Sequence, residues 1–254
     1  KSTTPSYEAG SSAKRRYNKN AWMSEALKIA IIGDYNFTYN SHHATNLSLD
    51  HAAEFLELEI NYYWIKINEA LQFKKQSFEQ YDGVWVAPGP YLNPFFLNGV
   101  FRHLADLDIP VFATGECFRI FIDYLITANN MNPFGEKLIS ENLVNSTHFE
   151  RIDVTPRTAA MEKLYENCSS VELSATRYSM YPQLLEQLIG QFIDIEAVNQ
   201  FEDPEIITLK KHPFFLATSF CPQISSTRDL PHPLVYTFLK LSAEIAGLDL
   251  QLQE

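Results

Sequence analysis

Long apolar runs are missing from this chain: none approaches the roughly 20 residues that a membrane helix needs, so a spanning segment is not expected. No secretory h-region is visible either. Cysteine is scarce. The three present, Cys117, Cys168 and Cys221, cannot all pair and show no CxxC spacing, so a reduced, cytoplasmic setting is expected, with no zinc site, metal or other cofactor. An excess of positive charge is also lacking, because the chain carries −11 overall. Its first 22 residues hold +4, leaving −15 from Met23 onward. A body that acidic repels phosphate backbones and excludes nucleic acid as the expected partner. Internal repeats and low-complexity linkers are absent too.

What is present describes one ordinary globular unit. At 254 residues, with 46% hydrophobic and 20% charged residues, the chain has room for a single large α/β domain over 23–254. Eighteen Phe and thirteen Tyr make its core and pocket walls unusually aromatic. Residues 1–22 are polar and without apolar period. They read as a disordered arm, an upstream extension or a cloning remnant, with Met23 as a candidate start.

From there the pattern alternates. Lys28-Ile-Ala-Ile-Ile-Gly33 reads as a buried parallel strand, residues 44–58 as a helix, 60–65 as a second strand, and Val84-Trp-Val-Ala-Pro-Gly89 as a third closed by a Pro-Gly breaker. A helix over 94–107, a strand over 110–115 and a helix over 118–129 follow. This β-α order predicts an open, mostly parallel sheet with helices on both faces. Residues 130–150 read as loop-rich. The apolar stretches 191–198, 205–209 and 214–220 read as hairpin-like strands on the sheet edge. A final helix over 231–248 is expected to bury Leu234, Phe238, Leu241 and Ile245.

Chemistry concentrates in Ala113-Thr-Gly-Glu-Cys-Phe-Arg-Ile-Phe121, a strand entering a sharp Gly-x-Cys turn and then a helix. That geometry is a nucleophile elbow, which displays its thiol. The dipole of the following helix favours a thiolate, and Glu116 is expected to point outward. The second block, His212-Pro-Phe-Phe-Leu-Ala-Thr-Ser-Phe-Cys-Pro-Gln223, lies where such folds supply a base, with His212 itself read as structural. Cys168 reads as a plain thiol.

Together with Tyr81-Asp-Gly-Val-Trp-Val-Ala-Pro-Gly89, these two blocks resemble the class I glutamine amidotransferases, and within them the glutaminase domain of CTP synthase, over roughly residues 27–247. The His-Pro-Phe-Phe-x-Ala-Thr-x-Phe-x-Pro string is the most specific part. The resemblance implies a flavodoxin-like fold and glutamine hydrolysis by a Cys-His-Glu triad, in a stand-alone and divergent relative. Carried over by position, the nucleophile falls on Cys117, the base position holds Cys221 and the acid position holds Gln223. Arg119 and Phe121 replace the glycine and glutamine of the usual Gly-x-Cys-x-Gly-x-Gln elbow. The oxyanion donors implied are the amides of Gly89 and Phe118, since Pro90 has none.

Cys221 is a poor proton donor for a leaving amine, so standard glutaminase chemistry is not expected. Two readings stand. In the first, a cysteine enzyme acts on a small amide or other carbon–nitrogen substrate. There His148 with Glu150, at i and i+2, replaces the base, or else His43, which with His42 follows the first strand at the sheet edge where either could face Cys117. Tyr91, Arg119, Phe121, Cys221 and Gln223 then line a more apolar pocket. In the second, a catalytically inactive pseudo-glutaminase serves as a small-molecule binding or regulatory subunit, with a partner synthetase or a second copy as candidate partners.

Overall fold

The computed structural model describes residues 26–142, 149–174 and 177–248; the expected extension over 1–22 and His148 lie outside them. In chain order the elements are β1 (Leu27–Ile32), α1 (Asn40–Phe55), β2 (Ile60–Ile65), α2 (Ile67–Ala70), α3 (Lys75–Phe78), β3 (Gly83–Val86), α4 (Phe96–Leu104), β4 (Val111–Thr114) and α5 (Cys117–Ala128). There follow β5 (Ile139–Asn142), β6 (Glu150–Asp153), β7 (Thr155–Pro156), α6 (Ala159–Tyr165), β8 (Val171–Ser174), β9 (Arg177–Met180) and α7 (Pro182–Gln191). The last are β10 (Ile193–Val198), β11 (Pro204–Leu209), β12 (Phe215–Thr218) and α8 (Pro233–Ile245).

The main sheet has eight strands in the order β2-β1-β3-β4-β12-β11-β10-β7. From β2 to β12 neighbours run parallel, and from β12 to β7 antiparallel. This is the expected open sheet, and β10, β11 and β12 pair antiparallel as the expected hairpins, with one correction: they continue the sheet from β4 instead of packing on its edge. β12 pairs along β4 with Ala217 opposite Ala113, so Phe215–Thr218 is interior, and its four residues are all buried.

Parallel strands covered on both faces read as continuous apolar runs, as β1, β3 and β4 do. Alternate residues then serve two cores. Ala30, Val84, Val86, Val111 and Phe215 pack under α4 and α5, while Ile29, Ile31, Trp85, Phe112 and Leu216 pack under α1 and α8. Helix α8 buries Leu234, Val235, Phe238, Leu239, Ser242 and Ala243. Ile245, expected on that face, is 49% exposed. The face rotates because Ser242 and Phe238 settle on Gly83, where a Cβ would strike both side chains. Among the described residues no helix is long and apolar enough to cross a membrane.

Candidate functional site

The strand-turn-helix at β4–α5 forms as the sequence predicts, but its left-handed residue is Gly115, at φ +71°. A Cβ there would meet Pro88 at 2.9 Å and the Cys221 sulfur at 3.1 Å, so glycine is demanded both by backbone and by space. Cys117 is the first residue of α5 and carries no left-handed strain. Its thiol is not displayed. It is 0% exposed and donates to the Thr114 carbonyl at 3.1 Å.

Two side chains stand near it. The Tyr91 hydroxyl donates to the Ala87 carbonyl and lies beside the thiol. Glu116 lies across Gly89, where an added Cβ would run into its carboxylate. The outward orientation expected for Glu116 is therefore corrected: Gly89 leaves an open space beside the turn, and the carboxylate fills it. Burial raises the Glu116 carboxyl above its ordinary range. At the implied oxyanion position, the Phe118 amide already donates to the Gly115 carbonyl at 3.0 Å.

Burial pushes the Cys117 thiol well above its ordinary value, and Cys221 and Glu116 push the same way; the Tyr91 contact opposes them and is outweighed. The helix dipole cannot reverse this. A helix end contributes about 0.3–1 kcal/mol, whereas removing a charge from water costs several kcal/mol. Cys117 is held as a neutral thiol.

The other expected residues separate. Cys221 is buried at 4% exposure, its amide donates to the Leu173 carbonyl at 3.1 Å, and burial with Glu172 nearby pushes its thiol up to about 12. Gln223 is 2% exposed, and neither atom of its amide finds a hydrogen-bond partner among the described residues. Arg119, expected in the pocket, pairs with Asp123 at 2.9 Å and lies over the Tyr178 ring, two residues along α5 from Cys117. Phe121, expected in a pocket, is core: it stacks on Phe215 with ring centroids 4.4 Å apart. His43 is exposed on α1, because the helix turns its neighbour His42 inward instead. His42 takes the Asn36 N–H on Nδ1 at 3.0 Å, bonds the Pro88 carbonyl through Nε2 at 3.0 Å, and is held neutral by burial. Glu150 is exposed at the start of β6, opposite Ser174 of β8.

Sequence reasoning missed two features. The first is a buried network: Glu172 (1% exposed) and His232 (6%) meet at 2.7 Å. Tyr165 and Ser225 donate to the same carboxylate at 3.1 and 3.2 Å. His232 Nδ1 caps α8 by accepting the Leu234 N–H. With both ring nitrogens engaged, this imidazole is not free to serve a thiol. A charged residue inside the Val-Glu-Leu-Ser strand and a Pro-His-Pro helix start were its only traces in sequence. The second is a cavity of about 550 Å³ outside the ends of β1, β2 and β3. Tyr91 forms part of its wall, so the loop that passes beside Cys117 also borders this cavity. Among the described residues no group of three His, Cys, Asp or Glu stands in metal-binding arrangement.

No protein-family profile matches the chain. It is 23% identical to CTP synthase of Aeropyrum pernix over 88% of this chain and 46% of that protein. It is also 23% identical to CTP synthase of Sulfolobus acidocaldarius, over 87% and 46%. The chain thus spans just under half the length of these curated relatives. In structure it is similar to the glutaminase domain of Trypanosoma brucei CTPS with bound acivicin, with a TM-score of 0.69, 19% identity, and coverage of 88% of this chain and 95% of that one.

Proposed function

We propose that this chain, a divergent relative of the class I glutamine amidotransferases with the fold of the CTP synthase glutaminase domain, no longer hydrolyses glutamine and acts as a small-molecule binding or regulatory module on that fold. One observation carries the reading: the nucleophile-position thiol is buried and neutral, with Tyr91 and the Glu116 carboxylate close by. Acyl transfer needs a thiolate that substrate can reach and an acid for the leaving amine. The position that the resemblance gives to the base holds Cys221, whose thiol is itself pushed up to about 12. The direct test is ammonia release from L-glutamine by wild type against Cys117→Ser. Equal background rates are expected; Cys117-dependent release would overturn the proposal.

A second reading keeps the enzyme, with Cys117 as nucleophile and His148 and Glu150 as the proton relay on a small amide or other carbon–nitrogen substrate. Its support is the register of β6. Glu150 lies opposite Ser174, whose hydroxyl donates to the Ser219 carbonyl, two residues before Cys221. On that reading His148→Ala shifts the pH dependence of Cys117 alkylation; on ours it does not.

A further inference from the structure

The cavity outside β1, β2 and β3 has no part in the elbow chemistry, and its residues have a pattern of their own. Strand β1 sits between β2 and β3 with all three parallel, so the chain reverses its winding direction between β1 and β3. In open α/β sheets such a reversal leaves a crevice at the C-terminal strand ends where ligands bind. Here the crevice is a cavity of about 550 Å³, within the range of small-molecule sites. Its walls are set by hydrogen bonds that tie the loop after β1 to the loop after β3. Leu92 N–H donates to Asp34 at 3.2 Å. His42 joins Asn36 to the Pro88 carbonyl. Walls fixed in advance lower the ordering cost of binding.

Opposite charges face this cavity without neutralising each other. Lys66 and Asp34 both line it. Lys66 is exposed just after β2; its carbonyl accepts the Glu69 and Ala70 amides, but its ammonium makes no ion pair or hydrogen bond among the described residues. Among the described residues the Asp34 carboxylate accepts only the Leu92 amide, through Oδ2. Aromatic side chains share the lining with them: Tyr35 packs on Trp64 with centroids 4.8 Å apart, and Tyr91 and Phe96 add to the wall. The exposed amides of Asn68 and Asn93 also reach it.

From this arrangement we infer that the cavity binds a zwitterionic α-amino acid with an apolar or aromatic side chain. The ligand's ammonium meets Asp34, its carboxylate meets Lys66, and its side chain lies on the aromatic wall. A plain anion would face the field of a chain carrying −11, and a plain cation would leave Lys66 repelling it; a zwitterion is neutral overall and satisfies both groups. Aromatic faces favour an apolar side chain and also attract an ammonium. The site does not depend on the state of Cys117, so it stands or falls apart from the loss of glutaminase activity.

Calorimetry with L-phenylalanine, L-phenylalaninamide and 3-phenylpropionate tests it, because the last two lack one charge each. Phenylalanine is expected to bind, and each truncated compound to bind weaker by about tenfold or more, as loss of a charge-assisted hydrogen bond implies. Lys66→Met should erase the difference between phenylalanine and its amide. Asp34→Asn, which keeps an acceptor for Leu92, should erase the difference between phenylalanine and phenylpropionate. Both variants are checked for unchanged circular dichroism. No binding of phenylalanine at millimolar concentration, equal binding of all three compounds, or discrimination that survives both substitutions would overturn the assignment.

Discussion

The buried thiols make a quantitative prediction about alkylation by iodoacetamide. An ordinary cysteine is about one part in ten thiolate near pH 7.5. A thiol pushed up to about 12, as Cys221 is, is thiolate in roughly three molecules in 10⁵. That is a rate deficit of roughly 3,000-fold before any steric exclusion, and Cys117 is pushed in the same direction and further. Cys168 is only partly buried, and its thiol is raised by burial and by Glu172. Peptide-resolved mass spectrometry of the native protein should therefore find Cys168 labelled first and Cys117 and Cys221 protected until the protein unfolds in urea. Tyr91→Ala removes the ring beside the thiol and readmits water, so Cys117 labelling should rise by about 100-fold or more. Truncating this half-buried ring should cost about 1–3 kcal/mol of stability. Urea melts of the same variant separate uncovering from unfolding. Wild-type Cys117 reacting as fast as a free thiol, with an apparent pKa at or below about 8.5, would refute the reasoning.

Other expectations follow from single contacts. Glu172→Ala strands His232, Tyr165 and Ser225 around a lost buried carboxylate; a loss of about 3–5 kcal/mol is expected in urea titrations, and a loss under about 1 kcal/mol would mean that water reaches the network. Glu116 has a folded-state carboxyl raised by burial above its ordinary value of 4.5, so its ionised form costs stability at neutral pH, and that cost fades as pH falls through the folded value. Glu116→Gln should raise Tm at pH 7 and lose its advantage below about pH 4.5; an advantage independent of pH would contradict the burial argument. Gly83→Ala drives a methyl into Ser242 and Phe238, for a loss of about 1–3 kcal/mol, part of which the added substitution Ser242→Ala should restore in thermal melts.

Much of the fold was legible because parallel central strands announce themselves. The run Leu27–Ile32 has no other stable home than between two helical layers, and the Gly-x-Cys turn required a strand before it and a helix after it. The place of Phe215–Thr218 was not legible. Its burial reads the same in a hairpin on the sheet edge as in a strand beside β4, and only long-range pairing distinguishes the two. The face of α8 was misjudged for a related reason: helical period permits several faces, and the choice fell to Gly83, more than a hundred and fifty residues away, which lets Ser242 approach.

Residue identity by itself determined which chemistry is available: a thiol after a glycine turn, with Cys221 and Gln223 where the resembling family keeps its base and acid. Whether that thiol is usable was decided by tertiary structure alone. A thiol's charge depends on the water around it, and the core in which Cys117 is packed, with Tyr91 beside it, excludes that water, a packing no local pattern encodes. The same holds for the cavity. Asp34, Lys66 and Trp64 are unremarkable in sequence and become a site only when β1, β2 and β3 end side by side.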